Sequence, residues 1–117
     1  QVFEVNPYLR IIEPEISVIG RKVVAKFKLE QVTSNEVYRI SLFAHSHIDV
    51  SNKLNIVNRT EELNRSITDG EAFELSINLE DYTSTLVPGK SYYFRIGAQS
   101  HGSETKYNYS ASVQLDI

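Results

Sequence analysis

Two histidines and an aspartate occupy alternate positions along the chain, at His45, His47 and Asp49. Side chains of a β-strand alternate between two faces, so this spacing places all three on one face if the strand extends that far. Two imidazoles and a carboxylate are plausible zinc ligands. The remaining histidine, His101, falls in a loop at the opposite end of the predicted fold, so we do not expect convergence. Surface histidines at a strand end are the favoured interpretation, and no metal or cofactor is predicted.

Side chains for covalent or acid–base catalysis form no recognisable set. The chain has no Cys, and none of its serines lies in the Gly-x-Ser-x-Gly turn that presents a hydrolase nucleophile. Neighbouring carboxylates such as Glu61 and Glu62 are typical of a solvated surface, and no phosphate-binding or dinucleotide-binding glycine motif occurs. We therefore predict that the protein is not an enzyme.

Tyrosines are the remaining candidates for a binding function. The chain has seven Tyr, and three of them, Tyr8, Tyr82 and Tyr93, have no place in the predicted core. A tyrosine ring has a flat apolar face and a polar tip, which suits a half-polar ligand such as a sugar. Tyrosines on the solvated face of a sheet also stabilise it through ordinary cross-strand contacts. Both interpretations stay open, with these three residues as the candidate carbohydrate-binding side chains.

The elements that must position these side chains are strands, and the last two are the clearest. Apolar and polar residues alternate from Tyr92 to Ala98 and again from Tyr107 to Ile117. Strict alternation is the pattern of a strand with one buried face. The second run therefore predicts that Tyr107 and Tyr109 lie on the buried face of the final strand.

A turn precedes the first of these two strands. Leu86, Pro88, Gly89 and Tyr92 form the pattern Leu-x-Pro-Gly-x-x-Tyr. Pro fixes φ and Gly accepts positive φ, so the pair predicts a turn. A Tyr just inside the next strand can bury its ring and direct its hydroxyl to the backbone of the turn, which is the tyrosine corner of Greek-key sandwiches. We expect these four residues to have a structural role.

Further strands are predicted in the first two thirds of the chain. Residues 8–18 alternate but contain Pro14, which predicts a broken strand at a sheet edge because Pro cannot donate to a ladder. Clear alternation follows at residues 23–30, 37–44 and 73–79. Phe43 has the outward parity and is expected to be covered by another element. Residues 60–67 are ambiguous between one helical turn and a strand paired across Asp69-Gly70, and the strand is favoured.

The count of about seven antiparallel strands predicts an all-β, Ig-like or fibronectin type III-like Greek-key sandwich. At 117 residues the chain fits one domain, with residues 1–7 as a linker or short edge strand and residues 8–117 as the sandwich. The net charge of −3 and the lack of a basic patch argue against binding to nucleic acid or anionic membranes. No run of about 18 apolar residues occurs, so no membrane span is predicted.

The motif Leu-x-Pro-Gly-x-x-Tyr-x-Phe-x-Ile-x-Ala at residues 86–98 resembles the E–F corner and following strand of a fibronectin type III domain. The chain departs from the animal members of that family because it has no Trp, and Phe27 is the nearest substitute. It also lacks an Arg-Gly-Asp loop. A cell-adhesion role is therefore the weakest of the alternatives.

A wider resemblance covers almost the whole chain. Val-Asn-Pro-Tyr-Leu at residues 5–9, Val-Ala-x-Phe-x-Leu-x-Gln at 24–31 and Ile-x-Leu-Phe-Ala at 40–44 resemble the C-terminal Ig-like domain of a Bacteroidetes lipoprotein family of unknown function. Those proteins have a transthyretin-like N-terminal domain and are encoded near starch-utilisation-type glycan importers. The resemblance implies that the start at Gln1 marks an excised second domain.

The same resemblance implies an extracytoplasmic chain at the bacterial outer-membrane surface, attached to the membrane only through a lipid on an upstream Cys outside this chain. Two functions follow as alternatives. The first is a non-catalytic structural or protein-interaction module, a monomer that contacts its neighbouring domain or other surface glycan-uptake proteins. The second is a carbohydrate-binding module that holds polysaccharide through exposed tyrosines. The family has no agreed binding residues, so none is transferred to this chain.

Overall fold

The computed structural model describes residues 9–31, 36–100 and 107–117. Within these ranges the chain forms eight strands: β1 Leu9–Ile19, β2 Lys22–Gln31, β3 Val37–His45, β4 Val57–Arg65, β5 Glu71–Asn78, β6 Ser91–Ser100, β7 Tyr107–Tyr109 and β8 Val113–Asp116. A 3₁₀ helix, Leu79–Tyr82, follows β5. Across the described part of the chain, no helix is long and apolar enough to span a membrane. The predicted linker at residues 1–7 lies outside the described residues.

The strands form two antiparallel sheets. The first has the order β1-β2-β5, and the second has the order β4-β3-β6, with β7 and β8 both paired to the other edge of β6. The chain changes sheet between β2 and β3, between β4 and β5, and between β5 and β6. Such connections between two sheets are those of a Greek-key sandwich. The all-β sandwich predicted from the sequence is confirmed.

The predicted hairpin across Asp69-Gly70 is wrong, although both flanking strands exist. β4 pairs with β3, and β5 pairs with β2, so Asp69-Gly70 connects the two sheets. The dipeptide does form a local turn, in which the Glu71 amide donates to the Thr68 carbonyl at 2.9 Å. A turn dipeptide determines only the backbone of its own few residues. The partner of each strand depends on which face must be buried.

Apolar side chains on the inner faces of the two sheets form one core. Its largest fully buried members include Leu9, Leu29, Leu42, Phe94 and Ile96. Phe27, the predicted substitute for a strand Trp, is also buried and stacks on Phe73 with 6.0 Å between ring centroids. A stacked aromatic pair fills a large volume, which explains how the core closes without a Trp.

The first strand is irregular where Pro14 interrupts it. The register shifts between Ile12 and Glu15, so Glu13 and Pro14 together face one residue of β2. Glu13 has a φ of 50°, the left-handed conformation that bulges often contain. Because β1 is an edge strand, the missing N–H of Pro14 is tolerated there. The predicted broken edge strand is confirmed.

The turn before β6 forms a tyrosine corner. The Val87 amide donates to the Tyr92 hydroxyl at 2.9 Å, and both Tyr92 and Leu86 are buried. Gly89 has a φ of 86°, which residues with a Cβ rarely adopt. Its amide donates to the carbonyl of Ile117. The corner therefore connects the crossover between the sheets to the end of the final strand.

The final strand changes face midway, which the unbroken alternation did not predict. In β7, Tyr109 is opposite Gly97, whereas in β8, Leu115 is opposite Tyr92. The register thus moves by one residue between the two segments. A shift of one residue exchanges the two faces of a strand. The prediction that Tyr107 and Tyr109 lie on the buried face is therefore wrong, and both point to the outside of the second sheet.

Ser110 lies at this register shift and makes it possible. Its amide donates to the Ile96 carbonyl at 3.0 Å. Its Oγ accepts from the Ile96 amide at 3.1 Å, replacing a backbone carbonyl in the ladder. A bulge leaves one residue outside the regular ladder, and the Ser110 hydroxyl satisfies the buried amide that would otherwise lose its partner.

An ion pair joins the two sheets near the start of β5. Arg65 of β4 donates to both carboxylate oxygens of Glu71, at 2.5 and 3.1 Å. The Thr68 amide donates to the same carboxylate at 3.2 Å. These contacts lower the pKa of Glu71 below its ordinary value of 4.5, and the hydrogen bond from Arg65 is the largest cause.

We expect this pair to make the stability of the domain sensitive to acid. Because the pKa of Glu71 is lower in the folded chain, its contribution is fully present above the unfolded pKa and is lost as the pH falls through the folded value. Urea unfolding should show wild type slightly more stable than Glu71→Gln at neutral pH, with the two converging in acid. The difference is small because the pair is exposed. A difference that does not change with pH, or an equal one for the control Glu61→Gln, would contradict this prediction.

Candidate functional site

The histidine-rich segment does not lie on one strand face. β3 ends at His45, and His47 and Asp49 follow in the turn. The His47 amide donates to His45 Nδ1 at 3.0 Å, and the Asp49 amide donates to His47 Nδ1 at 3.1 Å. One ring nitrogen of each histidine is therefore used by the backbone. Among the described residues, no three His, Cys, Asp or Glu side chains are grouped as a metal site requires, and His101 is outside those residues.

Tyr82 combines a well-anchored backbone with an exposed ring. Asn78 caps the 3₁₀ helix by accepting a hydrogen bond from the Glu80 amide at 3.1 Å. Leu79 is fully buried, and the carbonyl of Tyr82 accepts from the Leu86 amide at 2.7 Å. The Tyr82 side chain nevertheless remains 37% exposed. The backbone of Tyr82 is thus fixed, and its ring is not part of the core.

Tyr82 lines a cleft of about 310 Å³, which we call the edge cleft. β5 is an edge of the first sheet and β4 an edge of the second, and the edge cleft lies where these two edges face each other. Its volume is at the lower end of the range of small-molecule sites, roughly 300–1,000 Å³. Its lining residues are Lys22, Arg59, Ser76, Ile77, Asn78, Asp81 and Tyr82.

The edge cleft offers one aromatic ring among charged and hydrogen-bonding groups. Arg59 and Lys22 are donors only, and Asp81 in its ionised form is an acceptor only. Sequence reasoning identified Tyr82 but missed the other members, because they come from separate elements. The arrangement can hold a polar ligand with its apolar face against the Tyr82 ring and its hydroxyl groups against the surrounding side chains.

Tyr93, the second candidate, lies elsewhere. It is a half-buried residue on the outer face of the second sheet, opposite His45 of β3 and Gln114 of β8. The edge cleft does not include it, so the structure does not bring Tyr82 and Tyr93 to one site. Tyr8, the third candidate, lies outside the described residues.

The outward-pointing tyrosines form a cluster that sequence reasoning missed. Phe43, Tyr107 and Tyr109, which we call the outer aromatic cluster, have ring centroids 5.6 to 6.2 Å apart. They lie over Gly97, where an added Cβ would be 2.8 Å from the nearest ring carbon of Phe43. Phe43 is only 3% exposed, so the prediction that another element covers it is confirmed. Gly97, a glycine inside an alternating strand, was the signal in the sequence, because such a glycine often marks a place where another group packs closely against the strand.

The outer aromatic cluster also anchors the loop of residues 46–56. The Tyr109 hydroxyl donates to Asn52 Oδ1 at 2.6 Å and accepts from the Asn52 amide at 3.1 Å. The Arg95 guanidinium lies 4.7 Å from the Tyr109 ring centroid and donates to the Val50 carbonyl at 3.3 Å. These contacts use the tyrosines for packing and hydrogen bonding within the protein. The cluster therefore has a structural role.

A shallow groove of about 400 Å³ crosses the first sheet. Its charged side chains are neighbours of one another. Lys28 Nζ lies 4.0 Å from Glu13 Oε2, and Lys26 is opposite Glu15 on one side and Glu74 on the other. Because each of its two Lys has a carboxylate neighbour, this groove is a weaker candidate than the edge cleft.

Three solved structures are similar to almost the whole chain. A protein from Bacteroides uniformis, described as a "putative carbohydrate binding protein", is 29% identical with a TM-score of 0.90 and matches 98% of this chain and 60% of that one. A DUF3823 family protein from Parabacteroides merdae is 22% identical with a TM-score of 0.77 and matches 94% of this chain and 53% of that one. A DUF3823 family protein from Bacteroides ovatus is 18% identical with a TM-score of 0.76 and matches 94% of this chain and 56% of that one.

This chain thus spans between 53% and 60% of the length of these solved relatives. A comparison with curated proteins finds no match. Residues 9–114 match the family described as a domain of unknown function, DUF3823_C. The match runs from the beginning of β1 into β8 and agrees with the resemblance seen in the sequence. The chain therefore belongs to the DUF3823_C family.

Proposed function

We propose that this chain is a non-catalytic, saccharide-binding module of a bacterial cell-surface lipoprotein that takes part in glycan uptake. The edge cleft is its contact site, and its attachment to the membrane is a lipid anchor outside this chain. The description of the Bacteroides uniformis relative, which is 29% identical over 98% of this chain, supports a carbohydrate-related role. The observation that carries the proposal is an exposed, anchored Tyr82 in a cleft lined with polar groups.

The edge cleft has the two components that sugar recognition requires. A sugar ring has an apolar C–H face, and an aromatic ring that stays exposed gains hydrophobic stabilisation when such a face covers it. The hydroxyl groups at the rim of the sugar need hydrogen-bond partners, and Asn78, Arg59 and Asp81 supply donors and an acceptor there. Because the backbone of Tyr82 is already ordered by the 3₁₀ helix, binding loses little conformational entropy at this residue.

Tyr82→Ala should weaken saccharide binding by about tenfold, since removing an aromatic contact of this kind costs on the order of 1.4 kcal/mol. The measurement is affinity electrophoresis of the chain through gels that contain plant or host polysaccharides. Calorimetry on the glycans that retard the wild type then gives the change in Kd.

The matched control is Tyr93→Ala, which removes a half-buried tyrosine from the outer face of the second sheet. It should leave retardation unchanged. If Tyr93→Ala abolishes retardation while Tyr82→Ala does not, saccharide binds on the sheet face and the edge cleft is the wrong site.

A second candidate function is a structural or protein-interaction module. Ile48, Leu54 and Ile56, all in the loop of residues 46–56, are 54%, 38% and 42% exposed. Several exposed apolar side chains in one loop favour contact with another protein surface. In this alternative the chain is a monomer that contacts its neighbouring domain or other surface glycan-uptake proteins. A folded chain that no polysaccharide retards would favour it over saccharide binding.

A further inference from the structure

We infer that the edge cleft takes an acidic saccharide, one whose sugar carries a carboxylate or sulfate group. This inference rests on the proposed function, because it names the class of ligand for the same cleft. Lys22 and Arg59 supply two cations and Asp81 supplies one carboxylate, although the whole chain has a net charge of −3. The edge cleft is therefore a positive site on an acidic protein.

The two cations of the edge cleft form no ion pair with a carboxylate in the described part of the chain. The ion pairs found there between Lys or Arg and a carboxylate are Arg10 with Glu30, Lys28 with Glu13 and Arg65 with Glu71. Neither cation of the edge cleft takes part in them. A guanidinium presents two parallel N–H groups that match the geometry of a carboxylate or sulfate. Arg59 is thus available for that bidentate contact.

Arg59 occupies an inward-facing position of β4, as Glu61 does two residues later. Arg59 is directly opposite Leu42 of β3, and Leu42 is fully buried in the core. Opposite residues in an antiparallel pair share a face, so Arg59 has the parity at which an apolar side chain would extend the core. Its long side chain is exposed and lines the edge cleft instead. The strand therefore presents a cation to the cleft at a position where an apolar residue could have been buried.

The uncharged members of the edge cleft favour an acceptor-rich ligand. The Oδ1 atom of Asn78 accepts from the Glu80 amide, which orients the side chain and leaves its NH₂ group to donate. Lys22, Arg59 and Asn78 are then three donor groups beside one carboxylate. A carboxylate or sulfate has only acceptor oxygens, so it matches this set better than a neutral sugar hydroxyl does.

The groove on the first sheet has a different balance of charge from the edge cleft. Its charged members are Glu13, Glu15, Lys26, Lys28 and Glu74, so carboxylates outnumber cations and each Lys has an acidic neighbour. The edge cleft has the opposite balance.

The test compares acidic polymers with uncharged polymers of the same backbone. Affinity electrophoresis compares polygalacturonate with its methyl ester, and dextran sulfate with dextran. We expect at least one acidic polymer to retard the wild type while its uncharged counterpart does not, and the pair that responds identifies carboxylate or sulfate. Arg59→Gln should bind at least about tenfold more weakly, as expected for the loss of a charge-assisted hydrogen bond. Added salt should also weaken binding of the wild type, because the cations are exposed.

The matched control is Lys26→Gln, which changes the net charge equally but lies in the groove on the first sheet. Equal losses for Arg59→Gln and Lys26→Gln, at unchanged urea midpoints, would show that net charge alone attracts the polymer, and the inference would be wrong. Neutral glycans that retard the wild type as strongly as acidic ones would also overturn it while leaving the saccharide role intact. If no glycan of either kind retards the chain, the proposed function fails as well.

Discussion

Gly97→Val should destabilise the domain by about 3 kcal/mol, although Val is the better strand former. A Cβ at position 97 would be 2.8 Å from Phe43 Cε2, 3.0 Å from Tyr107 Cδ1 and 3.2 Å from Tyr109 Cε1. Three rings would have to move at once, and the two methyl groups of Val add to the crowding. Strand propensity and packing therefore predict opposite signs at this position, so the measured sign decides which effect dominates.

Urea unfolding of wild type and Gly97→Val measures this effect. Gln114→Val is the control, because it places the same side chain at an exposed position of β8, where a change within about 0.5 kcal/mol is expected. A double-mutant cycle of Gly97→Ala with Phe43→Leu tests the contact directly. Gly97→Ala should reduce the free energy of unfolding by about 1 kcal/mol less in the Phe43→Leu protein than in the wild type. Additive effects, or a Gly97→Val protein as stable as wild type, would rule out packing of the rings on Gly97.

Tyr92→Ala should cost about 4 kcal/mol, the usual range for truncating a large buried aromatic side chain. Tyr92 is 6% exposed, and its ring fills the core beneath the crossover that leads into β6. Tyr92→Phe keeps the ring and removes only the hydroxyl. We expect it to cost about 1–2 kcal/mol, because the Val87 amide then loses its partner in a partly buried place.

The two variants at Tyr92 separate the packing of the ring from the hydrogen bond of the corner. Tyr93→Phe is the control, since the Tyr93 hydroxyl has no hydrogen-bond partner among the described residues, and it should change the stability by less than about 0.5 kcal/mol. Unfolding midpoints in urea give all three values. A Tyr92→Phe protein with the same urea midpoint as the wild type would show that the ring alone stabilises the corner.

Local patterns in the sequence were sufficient for the strands and the corner. Alternation at residues 92–98 gives the inward and outward sets of β6 correctly, because the face of each side chain depends only on its neighbours in the strand. Pro88-Gly89 marks the turn, since the φ of Gly89 is a property of that residue. Pro14 marks the bulge in β1 for a similar reason. These features depend on interactions within a few residues.

Local alternation did not predict which side chains of the final strand point into the core. The alternation from Tyr107 to Ile117 has no interruption, yet the register shifts where the Ser110 hydroxyl takes a place in the ladder. Two tyrosines then pack on Gly97 and Phe43 rather than in the core. Pairing across a sheet determines the register, and that pairing involves residues from distant parts of the chain.

The edge cleft shows the same division between local and long-range determinants. The sequence by itself determined that this protein is a sandwich of alternating strands with a tyrosine corner, and that Tyr82 lies outside the core. Only the tertiary structure decided that Lys22, Arg59 and Asp81 line one cleft with Tyr82. They come from β2, from β4 and from the 3₁₀ helix, and nothing in their spacing relates them. They meet because Lys22 is paired with Asn78 at the end of β5, and burial of the two inner faces brings β5 beside β4.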